Sequence, residues 1–379
     1  MKIMIYENSH GFAHYTYELC NAIVAYPQIS EMTYLTCPNN RYIEKLDKKI
    51  NCNTTLNVYD TKLKKNSLAW TYNRVKISLS NIVNRNRYVK KEKPDILSIQ
   101  NTVPIIDQFL LPTIKKHTKI VLTVHDVIIP QKSKSWNKRS LKKIYKTVDN
   151  LIVHSEVNKK QLVDIFNVNP EKIRVIHHGV HTNYNRLDMS KCKKKIGVDN
   201  GKKTILFYGA IRDSKGLDIL INALNNIECN LIIAGAMPFG ENFNDYKKLI
   251  KEKSIDTREY IEFVSDDFSE ILFQASDIIA LPYVFFYSQS GVFMQSLQYR
   301  KPIIATDVSC FKEYIDKYKI GCICKKNNIQ SLHEAIKEMI NDENALLKYR
   351  DKAEFAVQEN SWRQSGKLHV ELFSKIKNR

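Results

Sequence analysis

An arginine and a lysine three residues apart, in Arg212-Asp213-Ser214-Lys215-Gly216, follow the apolar run Thr204–Tyr208 and precede an amphipathic stretch that starts at Leu217. A strand that ends in two cations and a glycine before a helix is a site for an anion, because fixed charges and helix N–H groups converge there. Arg212 offers a planar fork for two oxygens, and Lys215 offers a compact point charge. The pair suits a diphosphate leaving group, whose charge grows as its bond breaks. Gly216 lets the chain approach closely. The plain alternative is a solvated turn with two exposed cations; the position between strand and helix favours the anion site.

A second segment of the same kind lies about seventy residues on. Ser288-Gln289-Ser290-Gly291 follows the apolar run Ile278–Leu281 and opens a helix. Backbone N–H groups at that helix start suit a phosphate or a sugar oxygen, and Ser290 and Gly291 are small enough to permit contact. An ordinary N-cap by one of the serines is compatible with that role. In the loop after the first strand, residues 8–16, Gly11 marks a close backbone approach, and His10, His14 and Tyr15 are candidates to line an acceptor site. Thr123-Val124-His125-Asp126 ends another strand; an imidazole there bonds a sugar hydroxyl or passes a proton. His177-His178-Gly179 reads as a hinge turn.

These loops need strands and helices to hold them, and the sequence alternates the two throughout. Expected strands cover 2–6, 32–36, 56–59, 96–99, 120–123, 150–153 and 173–176, then 204–208, 230–234, 260–263, 278–281, 302–305 and 322–324. Helical periodicity fills the gaps, including 68–85, 139–147 and 361–376. Such alternation predicts an α/β protein with parallel, doubly wound sheets, whose ligand sites sit at the carboxyl ends of strands. The lysine-rich stretch 180–201 shows no strand and reads as a linker. The expected division is therefore two Rossmann-like domains, 1–183 and 184–360, and a last helix, 361–379.

Composition narrows the class. The 379 residues are 43% hydrophobic, which allows a substantial core. The first residues turn polar quickly and are not read as a secretory signal, and no run reaches the ~18 apolar residues of a membrane span. Eight cysteines without a C-x-x-C pair read as reduced, mostly buried thiols. Net charge is +19, and residues 1–185 hold 29 Lys and Arg against 14 Asp and Glu. The segment 131–146 mixes six lysines and Arg139 with Trp136 and Tyr145, a pattern for an anionic membrane surface or for a solvated basic helix. No G-x-G-x-x-G opens the first helix, and no P-loop, Asp-x-Asp or zinc spacing occurs, so no metal site is expected.

The loop with Gly11, residues 123–130, 175–180, 208–216 and 276–306 together resemble a GT-B glycosyltransferase of the large retaining family four, over nearly the whole chain. That resemblance implies two Rossmann-like domains facing across a cleft, with the last helix crossing back to the first. It implies that Arg212 and Lys215 bind the donor diphosphate, that His125 contacts the donor sugar, and that Gly11 belongs to the glycine loop. The family usually carries two glutamates at the positions of Tyr287 and Gln295, and neither is a carboxylate here. A glutamine at 295 still hydrogen-bonds a ribose diol, and Gln289 is the residue left to take sugar contacts. The implied enzyme moves a hexose from a UDP- or GDP-sugar to a saccharide or lipid-linked acceptor in cell-surface polysaccharide or glycolipid synthesis. No cofactor is implied beyond that donor, and no nucleic acid. The expected setting is cytoplasmic, peripheral at the inner membrane face. Two alternatives stay open: an epimerase-type GT-B enzyme, and a non-catalytic binder of anionic polymers.

Overall fold

The structure, a computed structural model, describes residues 1–8, 10–127, 135–238, 241–286 and 289–378. The chain forms two compact units, Met1–Gly179 with Trp362–Arg379, and Val180–Ser361.

In the first unit, β1 (Lys2–Tyr6), α1 (Ala13–Val24), β2 (Glu31–Leu35), β3 (Ile50–Asn53), α2 (Leu68–Glu92), β4 (Ile96–Ile99), α3 (Pro104–Leu110), β5 (Lys119–Thr123), α4 (Ser135–Thr147), β6 (Asn150–Val153), α5 (Glu156–Phe166) and β7 (Ile173–Val175) follow one another. The seven strands are parallel in the order β3-β2-β1-β4-β5-β6-β7. The central strands are apolar on both faces, as a sheet covered by helices on both sides requires.

The second unit runs through α6 (Met189–Ile196), β8 (Thr204–Tyr208), α7 (Leu217–Ala223), β9 (Asn230–Ala234), α8 (Asn244–Glu252), β10 (Asp256–Tyr260) and α9 (Asp266–Ala275). It continues through β11 (Ile278–Leu281), α10 (Gly291–Gln298), β12 (Ile303–Thr306), α11 (Phe311–Tyr318), β13 (Gly321–Cys324), α12 (Ile329–Asn341) and α13 (Glu343–Glu359). Its six parallel strands order as β10-β9-β8-β11-β12-β13. The last helix, α14 (Trp362–Lys377), joins the first unit and packs on α1 with Trp362, Val370, Phe373 and Ile376 in its core. All eight cysteines are unpaired.

In each sheet the strand order reverses once, between β1 and β4 and between β8 and β11. A doubly wound sheet opens a ligand crevice beyond the carboxyl ends of such a pair. The loops after these four strands carry Gly11, Gln100, Arg212 with Lys215, and Ser290.

The structure corrects several sequence expectations. Residues 56–59 are loop, and the strand is Ile50–Asn53; the strand expected at 260–263 is Asp256–Tyr260. Both true strands are sheet edges, half exposed and polar, so an apolar run misplaces them. The stretch 180–201 contains α6, capped by Asp188 accepting the Lys191 N–H at 2.8 Å and buried through Cys192 and Ile196. α2 runs seven residues beyond its expected end at 85, to Glu92. Tyr145 is a core residue and no interfacial aromatic.

Candidate donor loops and histidine cluster

Two loops of the second unit are locked together. The loop after β8 makes a short turn over Asp213–Lys215 and leaves it at Gly216, whose φ is +68°. A Cβ at Gly216 would lie 2.1 Å from the Pro282 carbonyl oxygen in the loop after β11. Only glycine serves both the backbone conformation and the contact. The Val284 N–H donates to the Ser214 carbonyl at 3.0 Å across the same seam.

Lys215 turns inward. Its Nζ lies 3.5 Å from the Tyr283 ring centroid and 4.2 Å from that of Phe286. Burial, and then the Arg212 guanidinium, push its pKa down to about 7. Aromatic faces partly replace water around the ammonium, without supplying an anion. Arg212 itself is exposed.

The helix start next to this cation is open. Ser290 is buried, caps α10 by accepting the Phe293 N–H at 3.3 Å, and pairs with the Tyr283 hydroxyl at 3.3 Å. A Cβ built on Gly291 meets nothing within 4 Å, so packing does not demand glycine there. Gly235, at the end of β9, was not singled out from sequence. Its φ is +148°, and a Cβ would sit 1.9 Å from the Gly209 carbonyl oxygen. The signal available was a glycine directly closing the apolar run 230–234.

Of the amides in this segment, Gln295 donates its Nε2–H to Ser269 Oγ at 2.7 Å. Gln289 accepts from Cys310 Sγ at 3.1 Å and points its amide nitrogen at Met294 Sδ, 2.9 Å away. Its amide is therefore engaged within the unit. Tyr287, named as a donor contact, and Ser288 lie outside the described residues.

In the first unit His125 is buried and stacks on Phe12, with centroids 3.9 Å apart and planes at 12°. Gly11 sits in the turn just before, and the Phe12 N–H donates to Glu7 Oε1 at 3.1 Å. Glu7 is buried and accepts the Tyr34 hydroxyl at 2.6 Å; burial raises its carboxyl to about 7. His154 Nδ1 lies 2.9 Å from the Ile176 carbonyl, which can only accept. Its Nε2, 3.2 Å from His125 Nδ1, is then the acceptor of the next bond. So His125 carries its proton on Nδ1, and its Nε2 is an acceptor. Gln100 Oε1 is placed 3.3 Å from that Nε2. Two acceptors cannot share a bond, so the amide is better assigned with its NH2 toward the imidazole. Burial and then His154 hold His125 well below the ordinary histidine range, and burial lowers His154 to about 4.

Tyr15 and His178 complete this cluster, with ring centroids 5.1 Å apart, so His178 is more than part of a turn. His14 points elsewhere, against Tyr17 and Tyr42. The His10 side chain lies outside the described residues. A cavity of about 300 Å³ opens beside His125, lined by Phe12, Gln100, Asn101, Thr102, Asp126 and Asn137 among others.

Residues 188–355 match the family described as glycosyl transferases group 1, and residues 11–184 match glycosyltransferase family 4. The chain belongs to these family-four, group 1 glycosyltransferases. It is 24% identical over 204 residues to an uncharacterized glycosyltransferase of Methanocaldococcus jannaschii, a match covering 51% of each chain. It thus spans about half the length of that relative. It is 23% identical over 264 residues to the O-antigen chain mannosyltransferase C of Escherichia coli, covering 68% of this chain and 69% of the relative. The crystal structure of Anabaena HepE in complex with UDP-glucose superposes with a TM-score of 0.76 at 18% identity, covering 99% of this chain and all of that one. That likeness identifies the fold as GT-B. In this family-four chain, the two positions outside easy sequence reach were Glu7 and His154. Each acts through a partner far along the chain.

Proposed function

We propose that this protein transfers a hexose from a UDP- or GDP-sugar to a saccharide or lipid-linked acceptor, retaining the anomeric configuration. The observation that carries the reading is the half-desolvated Lys215 ammonium, beside Arg212 and the open start of α10, with no carboxylate paired to it in the hydrogen bonds and ion pairs of the described residues. When the bond from the anomeric carbon to the diphosphate breaks, the nucleoside diphosphate leaves with the electron pair. The acceptor hydroxyl oxygen bonds to that carbon, and its proton passes to the departing phosphate oxygen. Arg212, Lys215 and the N–H groups at Gly291 meet the added charge, where fixed donors stabilise the transition state more than the ground state.

His125, held neutral by burial, suits an uncharged sugar better than it suits a phosphate. The cavity beside it sets Gln100, Asn101, Thr102 and Asn137 among apolar side chains, a mixed lining that fits the polar edges and apolar faces of a saccharide acceptor. Gln295 stands where the family usually carries a carboxylate; in this reading its amide oxygen turns to the ribose while its NH2 stays on Ser269. The relatives' names point the same way, toward mannosyl transfer and UDP-glucose.

The test is product analysis with UDP- and GDP-sugars and a panel of saccharide and lipid-linked acceptors. The expected result is acceptor-dependent glycoside, with turnover lowered by about a thousandfold or more in Arg212→Ala/Lys215→Ala. Unchanged turnover in that variant refutes the assignment. An isomerised sugar nucleotide formed without acceptor would make the protein an epimerase.

A further inference from the structure

Helix α2 carries a pattern that neither site uses. Leu68, Tyr72, Val75, Leu79 and Val83 are spaced by four, three, four and four residues, one stripe along the helix. All five are exposed, from 92% for Leu68 and 69% for Tyr72 to 40% for Val83. The buried face of the same helix is largely polar: Ser78, Asn81, Asn86, and Arg85, whose Nη1 donates to buried Asp107 at 2.8 Å. The helix thus turns apolar side chains outward over most of its length, against the usual arrangement.

The neighbouring helices extend the surface. α3 packs against both α2 and α4 and exposes Ile105 and Phe109; α4 exposes Trp136. The charge on this face has one sign. Lys76, Arg87 and Lys90 lie exposed along α2, whose only carboxylate, Glu92, pairs with Lys2. α4 adds Arg139, Lys142, Lys143 and Lys146 with no acidic residue, and Lys143 Nζ sits 5.7 Å over the Phe109 ring. Among the described residues no helix is long and apolar enough to cross a membrane, so this surface can lie on a bilayer and not span it.

We infer that the α2–α3–α4 face docks on an anionic lipid bilayer, with the α2 stripe entering the interface and the α4 cations lying over the headgroups. A second copy fits poorly, because a two-fold contact would set cations against cations in a desolvated layer. A nucleic acid would engage the cations and leave two exposed leucines, a tyrosine and two valines in water. A lipid interface takes both: apolar side chains enter the acyl boundary, and long cationic side chains reach the headgroups. The inference does not depend on the transfer reaction.

The experiment is cosedimentation of the full chain with phosphatidylcholine vesicles, with and without about one quarter phosphatidylglycerol. Three proteins are compared: wild type, Tyr72→Ser/Val75→Ser/Leu79→Ser, and Arg139→Gln/Lys142→Gln/Lys143→Gln. The wild type is expected to bind only the anionic vesicles and to release as salt rises. Each variant is expected to bind about tenfold or more weakly. The substituted side chains are exposed, and far-UV circular dichroism checks folding. Quenching of wild-type tryptophan fluorescence by brominated lipid gives a reading that needs no variant. Unquenched fluorescence, stripe-variant binding equal to wild type, or no wild-type binding at low salt overturns the proposal. A wild-type dimer that the stripe variant turns into a monomer assigns the face to a second copy and overturns it too. So does tight binding of an RNA oligonucleotide in place of vesicles.

Discussion

Lys215 sits at the meeting of recognition and proton chemistry. Its ordinary pKa is 10.5, and burial followed by Arg212 brings it to about 7 in the free protein. A diphosphate beside it restores the proton, so donor binding takes up a proton at mildly alkaline pH. Above pH ~7 the free side chain is increasingly neutral while the bound one stays charged. The Kd for the preferred nucleoside diphosphate should therefore rise about tenfold per pH unit there, until the bound pKa is reached. Calorimetric titration between about pH 7 and 9, in buffers of different ionisation enthalpy, reads both the affinity and the proton. A flat affinity with no proton uptake contradicts this picture of Lys215. Arg212, Lys215 and Gly216 were legible in the sequence because charge, glycine and position after a strand are all local. Glu7 and His154 were not, because their roles come from Tyr34 and His125, 27 and 29 residues away. Glu7 offers a second test. Its folded carboxyl at about 7 lies above the ordinary 4.5, so the wild type loses stability as pH rises through that window. Glu7→Gln lacks this loss. Its melting temperature relative to wild type should climb between about pH 5 and 8, and an unchanged difference would count against a buried, late-titrating carboxyl.

At the scale of elements, the proposed donor site rests on how closely three loop starts approach one another. Gly235 and Gly291 separate structure from binding. Gly235→Ala forces a Cβ into the Gly209 carbonyl at a strained φ and is expected to cost about 2 kcal/mol or more, read by urea unfolding. Gly291→Ala meets open space, so its stability should match wild type within about 0.5 kcal/mol. Its KM for the sugar donor should nevertheless rise, because the methyl group occupies the approach to the α10 amides. A Gly291→Ala protein with unchanged KM would move the diphosphate away from that helix. The central strands of both sheets were readable from their apolar runs. The edge strands β3 and β10 were not, since a half-solvated edge keeps polar residues such as Asn51, Asn53, Arg258 and Glu259. α6 was missed for a related reason: five of its eight residues are serine or lysine, and only Cys192, Ile196 and Lys193 are buried, the last with its ammonium paired to Asp277 at 2.9 Å.

For the whole molecule, two parallel sheets with one reversal each explain why the chemistry-bearing residues fall in four loops scattered through the sequence. The alternation of strands and helices made that architecture legible. The membership of α14 in the first unit followed from the family resemblance and not from its apolar periodicity, which any covering surface satisfies. In the structure Phe373 is fully buried in the core that α14 shares with α1 and β1. Phe373→Ala should cost about 3–5 kcal/mol in the first unit while leaving nucleotide binding by the second unit intact. A variant with an unaltered unfolding midpoint would show that this helix adds little to the fold. The central claim, that guanidinium, ammonium and helix amides of one unit hold a nucleotide diphosphate, is tested most directly by calorimetric titration of UDP, GDP and ADP into wild type and Arg212→Ala/Lys215→Ala. The account predicts that one of the three nucleotides binds the wild type and that the double variant weakens it by about a hundredfold or more. Equal affinity in the two proteins would contradict it.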